Sequence, residues 1–417
     1  MRNLIICGGN NLNGIINLSG AKNAALPIII GSILSTEEVQ LFNVPSKMED
    51  VKVLISILKQ MGIKIKSKKK GDLIINGNSL QTWEAPFKLS SKIRYTLLLL
   101  GALLAKCGKV KIPYPGGCAI GERKFDLHLY GLKALGADIK INENFIEACA
   151  NKLEGTEIEF YLPTTTGTEN IILAACFAKG KTIIKNANTR PEILDFINFL
   201  NSMGAKIKVS PRLVEIEGVK EFHGTKYSIM KGIDEAVTYM IATGIAKGEI
   251  MIKDFDLKFI KSDVEYLRKA GLEIFEWGGS VYISAKNEIK PFDMFTAPYP
   301  GVNSDMQPLF AALALKAKGI STITDTRFTD RFQYVSEFKK FGADIEAYGN
   351  CAVVKGGKSL KGARVKALDL RTGAALILVG LGAEGKTIIE NVYQIDRGYE
   401  EIEKKLGNLG ANIKREI

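Results

Sequence analysis

The sequence predicts an α/β protein of two domains, each built from three repeated α/β units with helices inside and sheets outside. Three observations carry that expectation. The chain has 417 residues, too many for one ordinary hydrophobic core. A helix–glycine–strand signature recurs six times, and a strongly apolar helix recurs six times in register between those copies.

The signature reads MGIKIK (61–66), LGADIK (135–140), MGAKIK (203–208), AGLEIF (270–275), FGADIE (341–346) and LGANIK (409–414). Its glycines are Gly62, Gly136, Gly204, Gly271, Gly342 and Gly410, so successive copies lie 74, 68, 67, 71 and 68 residues apart. Each follows an amphipathic stretch such as VKVLISILKQ (51–60) or ILDFINFLNS (193–202). The glycine falls where a left-handed helix cap belongs, and the alternating residues after it predict a strand.

The second element is a helix apolar nearly all round, a Gly or Lys-Gly stop and a strand. It appears from KNAALPIIIGSI (22–33) through RYTLLLLGALLAKCGKVKI (94–112) to RTGAALILVGLGAEGKTII (371–389), with three further copies opening at 168, 234 and 304. Such a helix is buried on most sides. Solenoid periods are shorter, and no GxGxxG follows a strand, which weakens a dinucleotide-binding reading.

The starts of these six helices carry Lys22 and Asn23, Arg94, Thr168 and Glu169, Asp234 and Glu235, Asp305, and Arg371. Capping accounts for Ser304 and Asp305. It does not account for Lys22, Arg94 and Arg371, because the helix dipole disfavours a cation at an N-terminus unless an anion sits there too.

The net charge of +12 admits nucleic acid, acidic lipid or small anionic substrates as partners. The largest basic run, IKIKSKKKGD (63–72), alternates apolar and polar residues before a Gly-Asp turn and reads as a hairpin. It holds no aromatic residue for a base to stack on, unlike a nucleic-acid groove. No apolar run approaches the ~18 residues of a membrane span. The start, MRNLIICGGNN, has no signal-peptide pattern, so a cytoplasmic location is expected. Six scattered cysteines and two histidines, His128 and His223, predict neither a disulfide framework nor a metal site. Cys107 and Cys176, in apolar runs, are expected to be buried and inert.

The stretch PYPGGCAIGER (113–123) places Cys118 in a run that can continue neither a helix nor a central strand, so it predicts a loop. Those residues alone leave open a loop thiol without a role.

Together with SGAKNAALP (19–27), DLHLYGLKALGAD (126–138), TAPYPGVNSDMQP (296–308), the two Arg-Phe pairs at 327–328 and 331–332, LDLRTGAALIL (368–378) and IDRGYEEIEKKLGNLGA (395–411), that loop resembles the UDP-N-acetylglucosamine 1-carboxyvinyltransferase family of enolpyruvyl transferases. The likeness runs over essentially the whole chain. It implies two inside-out α/β barrels of three repeats each: residues 22–232, with the Cys118 loop, and residues 1–21 with 233–417, the active site lying in the cleft between them. It implies transfer of the enolpyruvyl group of phosphoenolpyruvate to the 3-hydroxyl of UDP-N-acetylglucosamine with release of phosphate, the first committed step of peptidoglycan precursor synthesis. No cofactor, metal, nucleic acid or membrane is implied, and the chain would be a monomer or weak homodimer.

Carried onto this sequence, the resemblance places Lys22, Arg94, Cys118, Arg123, Arg331, Arg371 and Arg397 toward phosphoenolpyruvate. It places Asn23, Thr165, Thr166, Gly167 and Asp305 toward the acceptor, and adds Arg327 and Asp369 to the substrate-binding set. Asp305 would be the base near the sugar hydroxyl, and Lys22, Arg123 and Arg397 would clamp phosphate and carboxylate. Cys118 would be the lid thiol that assists protonation or product release and is alkylated by fosfomycin; Arg123 and the helix starting near Asp126 would favour its thiolate.

The match is looser on the acceptor side. Lys124 stands where the family usually has Pro, Thr165-Thr166-Gly167-Thr168 replaces a Ser-Val-Gly-Ala-Thr stretch, GIDEAV (232–237) replaces DRIEAG, and Val302-Asn303-Ser304 replaces Phe-Pro-Thr. Two other functions therefore stay open at this level: an enolpyruvyl transferase acting on another nucleotide hydroxyl, such as that of UMP in nucleoside-antibiotic synthesis, and a non-catalytic UDP-sugar-binding protein. Retention of Cys118, Asp305, Lys22 and Arg397 argues against the last.

Overall fold

A computed structural model describes residues 3–69, 71–116, 124–329 and 331–416. Cys118 and Arg123 lie outside the described residues. The rest divides into two compact units, one of residues 20–116 and 124–230 and one of residues 3–19 and 231–416, named below the N-terminal and C-terminal units.

The six signatures fold alike. Helices Glu49–Gln60, Asp126–Ala134, Pro191–Ser202, Lys261–Lys269, Tyr334–Lys339 and Ile402–Asn408 each run into their glycine. Those glycines have φ of 94°, 98°, 104°, 104°, 83° and 105°, the left-handed region that a Cβ disfavours. A strand follows each: Lys64–Lys66, Asp138–Ile141, Lys206–Ser210, Glu273–Trp277, Asp344–Tyr348 and Asn412–Glu416. The basic run is a hairpin, as its alternation predicts, with Lys66 opposite Ile74.

Each unit holds three sheets, and one pairing scheme recurs in all six. A parallel edge pair is extended by two antiparallel pairings, as where Glu157–Glu159 lies parallel to Lys181–Lys185, then Leu213–Glu217, then Lys206–Ser210. In the sheet of Lys109–Pro113 the edge strand shrinks to a bridge between Glu84 and Lys111. Pro86, two residues on, has no N–H to continue a ladder. Lys226–Ser228 pairs with Glu38–Phe42 and so joins the end of the N-terminal unit to its beginning. In the C-terminal unit Asn3–Cys7 lies between Lys386–Glu390 and Asn412–Glu416.

The apolar helices are Lys22–Gly31, Leu98–Cys107, Thr165–Ala175, Ile233–Ala246, Gln307–Ala314 and Leu370–Gly382. In the N-terminal unit Leu98–Cys107 packs against both Lys22–Gly31 and Thr165–Ala175, and in the C-terminal unit the three pack on one another. Leu98 through Leu104 are all buried, as are Leu370 through Leu381. Gly101 sets the closest approach: a Cβ there would lie 2.2 Å from the Asn170 carbonyl oxygen. Strands cover the helices with alternate residues, Val39 and Leu41 of Glu38–Phe42 being fully buried. Cys176 is buried as expected, and burial pushes its thiol pKa upward. Cys107 is not: it ends its helix one residue before the left-handed Gly108 and is exposed.

Candidate functional site

Three helix starts of the C-terminal unit meet through charge. Arg371, 4% exposed, donates from Nη2 to Asp305 Oδ2 at 2.9 Å and to the Asp234 carboxylate. Arg331 donates from Nη2 to Asp305 Oδ1 at 2.7 Å and from Nη1 to Ser304 Oγ at 3.0 Å. Tyr399 closes the back: its hydroxyl lies 3.4 Å from Arg371 Nη1 and 2.7 Å from Thr238 Oγ1. Burial of Arg371 works against its charge, but Asp234 and Asp305 outweigh it and hold the guanidinium pKa well above the usual value. Both Asp305 oxygens thus accept from guanidinium groups, which fixes the orientation of the carboxylate.

Asp369 fixes the helix that carries Arg371. Its Oδ1 accepts from the backbone N–H groups of Arg371 at 2.8 Å and Thr372 at 3.1 Å, and its Oδ2 from Thr372 Oγ1 at 2.6 Å. Arg327 and Arg331 lie over the Phe328 ring, 5.5 and 5.6 Å from its centroid. Arg397 follows the turn Tyr393–Asp396, is 6% exposed, and donates to Gln394 Oε1 at 3.2 Å. Its neighbour Asp396 is held by Arg415 at 2.9 Å.

In the N-terminal unit, Lys22 Nζ lies 3.2 Å from Asp50 Oδ2, and the Tyr95 hydroxyl lies 3.4 Å from Asn23 Oδ1. That second contact ties the start of Lys22–Gly31 to the turn Arg94–Leu97. Arg94 donates to the carbonyl of Lys124 at 2.8 Å. Thr165, Thr166 and Gly167 form the first turn of the third helix, where Thr164 Oγ1 caps the N–H of Gly167 at 3.3 Å. Thr166 Oγ1 lies 3.0 Å from His128 Nε2, and Thr165 Oγ1 accepts from Asn188 Nδ2 at 3.1 Å.

A cationic helix start calls for an anion beside it, and at two of the three the protein itself supplies one: Asp50 beside Lys22, and Asp234 with Asp305 beside Arg371. Among the described residues no group of three or more His, Cys, Asp or Glu side chains could hold a metal ion. No helix among them is long and apolar enough to cross a membrane.

Residues 6–406 match the family model of EPSP synthase (3-phosphoshikimate 1-carboxyvinyltransferase). The chain is also 44% identical to UDP-N-acetylglucosamine 1-carboxyvinyltransferase 1 of Clostridium acetobutylicum, with 100% of both chains covered. It is 44% identical to the enzyme of the same name from Caldanaerobacter subterraneus subsp. tengcongensis, with 97% of each covered. The chain belongs to the UDP-N-acetylglucosamine 1-carboxyvinyltransferase family. Solved structures agree on the fold: the enolpyruvyl transferase NikO from Streptomyces tendae has a TM-score of 0.89 at 22% identity over 99% of this chain and 98% of its own. EPSP synthase from Acinetobacter baumannii has a TM-score of 0.79 at 18% identity, with 100% of both chains covered.

For a member of the 1-carboxyvinyltransferase family, sequence reading missed the partners behind the helix starts: Asp50, Tyr95, His128, Asn188 and Tyr399. Of these only His128 carried a signal, as one of two histidines in the chain. A second omission is Glu169, whose position was noted but not its state. It is fully buried, and neither carboxyl oxygen has a hydrogen-bond partner. Burial, against an opposing pull from Arg190, raises its pKa well above the usual value. The unfolded chain releases this proton above about pH 4.3 while the native state keeps it, so stability is lost as pH rises, by up to about 1.4 kcal/mol per unit. Glu169→Gln should therefore gain on the parent between pH 5 and pH 8 in urea denaturation. A stability difference independent of pH would mean that the native carboxyl is ionised.

Proposed function

We propose that the protein transfers the enolpyruvyl group of phosphoenolpyruvate to the 3-hydroxyl of UDP-N-acetylglucosamine and releases phosphate, supplying a peptidoglycan precursor. The observation that carries this reading is the 44% identity, end to end, with enzymes of that name. The Asp305 cluster supports it. Addition of the hydroxyl to C2 needs a base for the hydroxyl proton and a proton delivered to C3, and the ketal then collapses as phosphate leaves. Asp305 takes the hydroxyl proton while Arg331 and Arg371 hold its orientation. Lys22, Arg123 and Arg397 bind the anionic groups of phosphoenolpyruvate and offset charge moving onto the leaving phosphate. Phosphate release measured with UDP-N-acetylglucosamine, UMP or no acceptor tests the assignment. It should require the sugar nucleotide; a preference for UMP would overturn the acceptor.

Cys118 is the proposed lid thiol, and fosfomycin, an epoxide bearing a phosphonate, should alkylate it. The thiolate attacks an epoxide carbon, a C–S bond forms, the C–O bond breaks, and the oxygen takes a proton. Accessibility alone does not select a cysteine, since Cys107 and Cys149 are both exposed. Anion binding beside the thiol does. Peptide mapping should find the adduct on Cys118, faster with the acceptor present. An adduct on any other cysteine instead, or equal labelling of Cys118→Asp, counts against the lid role. Cys118→Asp should resist the epoxide and keep part of its turnover.

A further inference from the structure

Thr165 and Thr166 open the helix Thr165–Ala175, and the hydroxyl of each is held from behind by a side chain whose orientation is itself fixed. The Gly101 N–H donates to Asn170 Oδ1 at 2.8 Å, so the other end of that amide is its NH2. That NH2 faces His128 Nδ1 at 3.0 Å, so Nδ1 must accept. His128 is 2% exposed; burial first, then Arg94, lower its pKa to about 3, so the ring is neutral. A neutral ring that accepts at Nδ1 carries its hydrogen on Nε2. Nε2–H therefore donates to Thr166 Oγ1 at 3.0 Å.

The same logic applies one residue earlier. The Arg190 N–H donates to Asn188 Oδ1 at 3.1 Å, so Asn188 Nδ2 is the donor to Thr165 Oγ1, also at 3.1 Å. Both threonine oxygens accept from within the fold, and the hydroxyl hydrogens are left to donate elsewhere. A hydroxyl without such a partner would present hydrogen or lone pair with equal ease.

We propose that His128, backed by Asn170, and Asn188 are positioning residues that set Thr166 and Thr165 as hydrogen-bond donors to the phosphate oxygens of the acceptor nucleotide. This rests on the function proposed above. Phosphate oxygens only accept, so a hydroxyl fixed as donor matches them, and the helix N-terminus adds its positive end. The Thr166 side chain stands where the family usually has Val, which has no hydroxyl to fix, so the device belongs to this chain's own acceptor contacts.

Steady-state kinetics tests it, with both KM values and kcat measured for each variant. His128→Phe fills the space without either ring hydrogen bond and should raise KM for UDP-N-acetylglucosamine about five- to tenfold, the worth of one neutral hydrogen bond. KM for phosphoenolpyruvate and kcat should stay within about twofold. His128→Gln can accept from Asn170 and donate to Thr166, and should restore most of the affinity. Thr166→Val should raise the acceptor KM similarly, and adding His128→Phe to it should cost nothing further. The proposal is overturned if His128→Phe leaves the acceptor KM unchanged, moves both KM values equally, or multiplies with Thr166→Val. If His128→Phe does not fold, Thr166→Ser against Thr166→Val decides: only the variant lacking the hydroxyl should weaken, and equal KM values overturn the proposal. Wild-type protein that releases no phosphate with UDP-N-acetylglucosamine overturns the functional reading, and this inference with it. Active wild type with unmoved variants overturns this inference alone.

Discussion

Asp305→Asn is expected to lower turnover about 10²-fold or more, the scale of losing a general base. The substitution keeps the volume and removes both the basic oxygen and its charge. Asn keeps one acceptor for Arg331 or Arg371, but its NH2 meets the other guanidinium as a second donor, so one of the two bonds at 2.7 and 2.9 Å is lost. Acceptor affinity, measured by calorimetry without phosphoenolpyruvate, should fall far less than turnover. A similar fall in both would make Asp305 a binding group. Near-normal turnover would leave it only as the anion that joins Arg331 to Arg371. The cluster then decides how the loss is read: with Asp305 neutral, Arg331 and Arg371 repel each other, so the variant's fold must be checked by its unfolding midpoint before kcat is compared.

How far the sequence speaks depends on the range of the interaction. The six left-handed glycines were legible because a helix stop and the strand after it are local events, decided by a missing Cβ and an alternating pattern. The buried helices were legible because a segment apolar all round has one stable place to go. Helix starts could be marked as chemically expensive, but their partners could not. Arg371 and Asp234 are 137 residues apart, and nothing local to either points to the other. Lys22 and Asp50 lie only 28 apart, yet Asp50 reads as an ordinary acidic residue in the first turn of an amphipathic helix. The His128 relay was invisible for a further reason: its chemistry lies in a tautomer, which follows from the neighbours of Asn170 and not from any residue type. Cys107 misled because an apolar helix predicts burial for its body and not for its last residue, where the chain turns outward at Gly108.

Arg371→Met should destabilise the C-terminal unit by about 3–5 kcal/mol, the cost of removing one partner from a buried ionic group. Met replaces the apolar stem and fills much of the space, so the loss is mainly one of charge. Two carboxylates that shared a cation, Asp234 and Asp305, then face each other without it, while Arg331 stays bound to Asp305. Like charges brought together raise the pKa of at least one carboxyl above its unfolded value. The sign follows by linkage. In the variant the native state binds a proton more tightly than the unfolded chain, so the deficit is greatest above that raised pKa and shrinks as pH falls toward about 4. Urea midpoints for parent and variant at pH 5 and pH 8 should therefore converge at the lower pH. Adding Asp234→Asn to Arg371→Met should recover part of the loss at pH 8 and little at pH 5, because it removes one of the two like charges that Arg371 held together. A deficit equal at both pH values, with no recovery in the double variant, would assign the loss to packing around Tyr399 and Thr238 instead of to the charges.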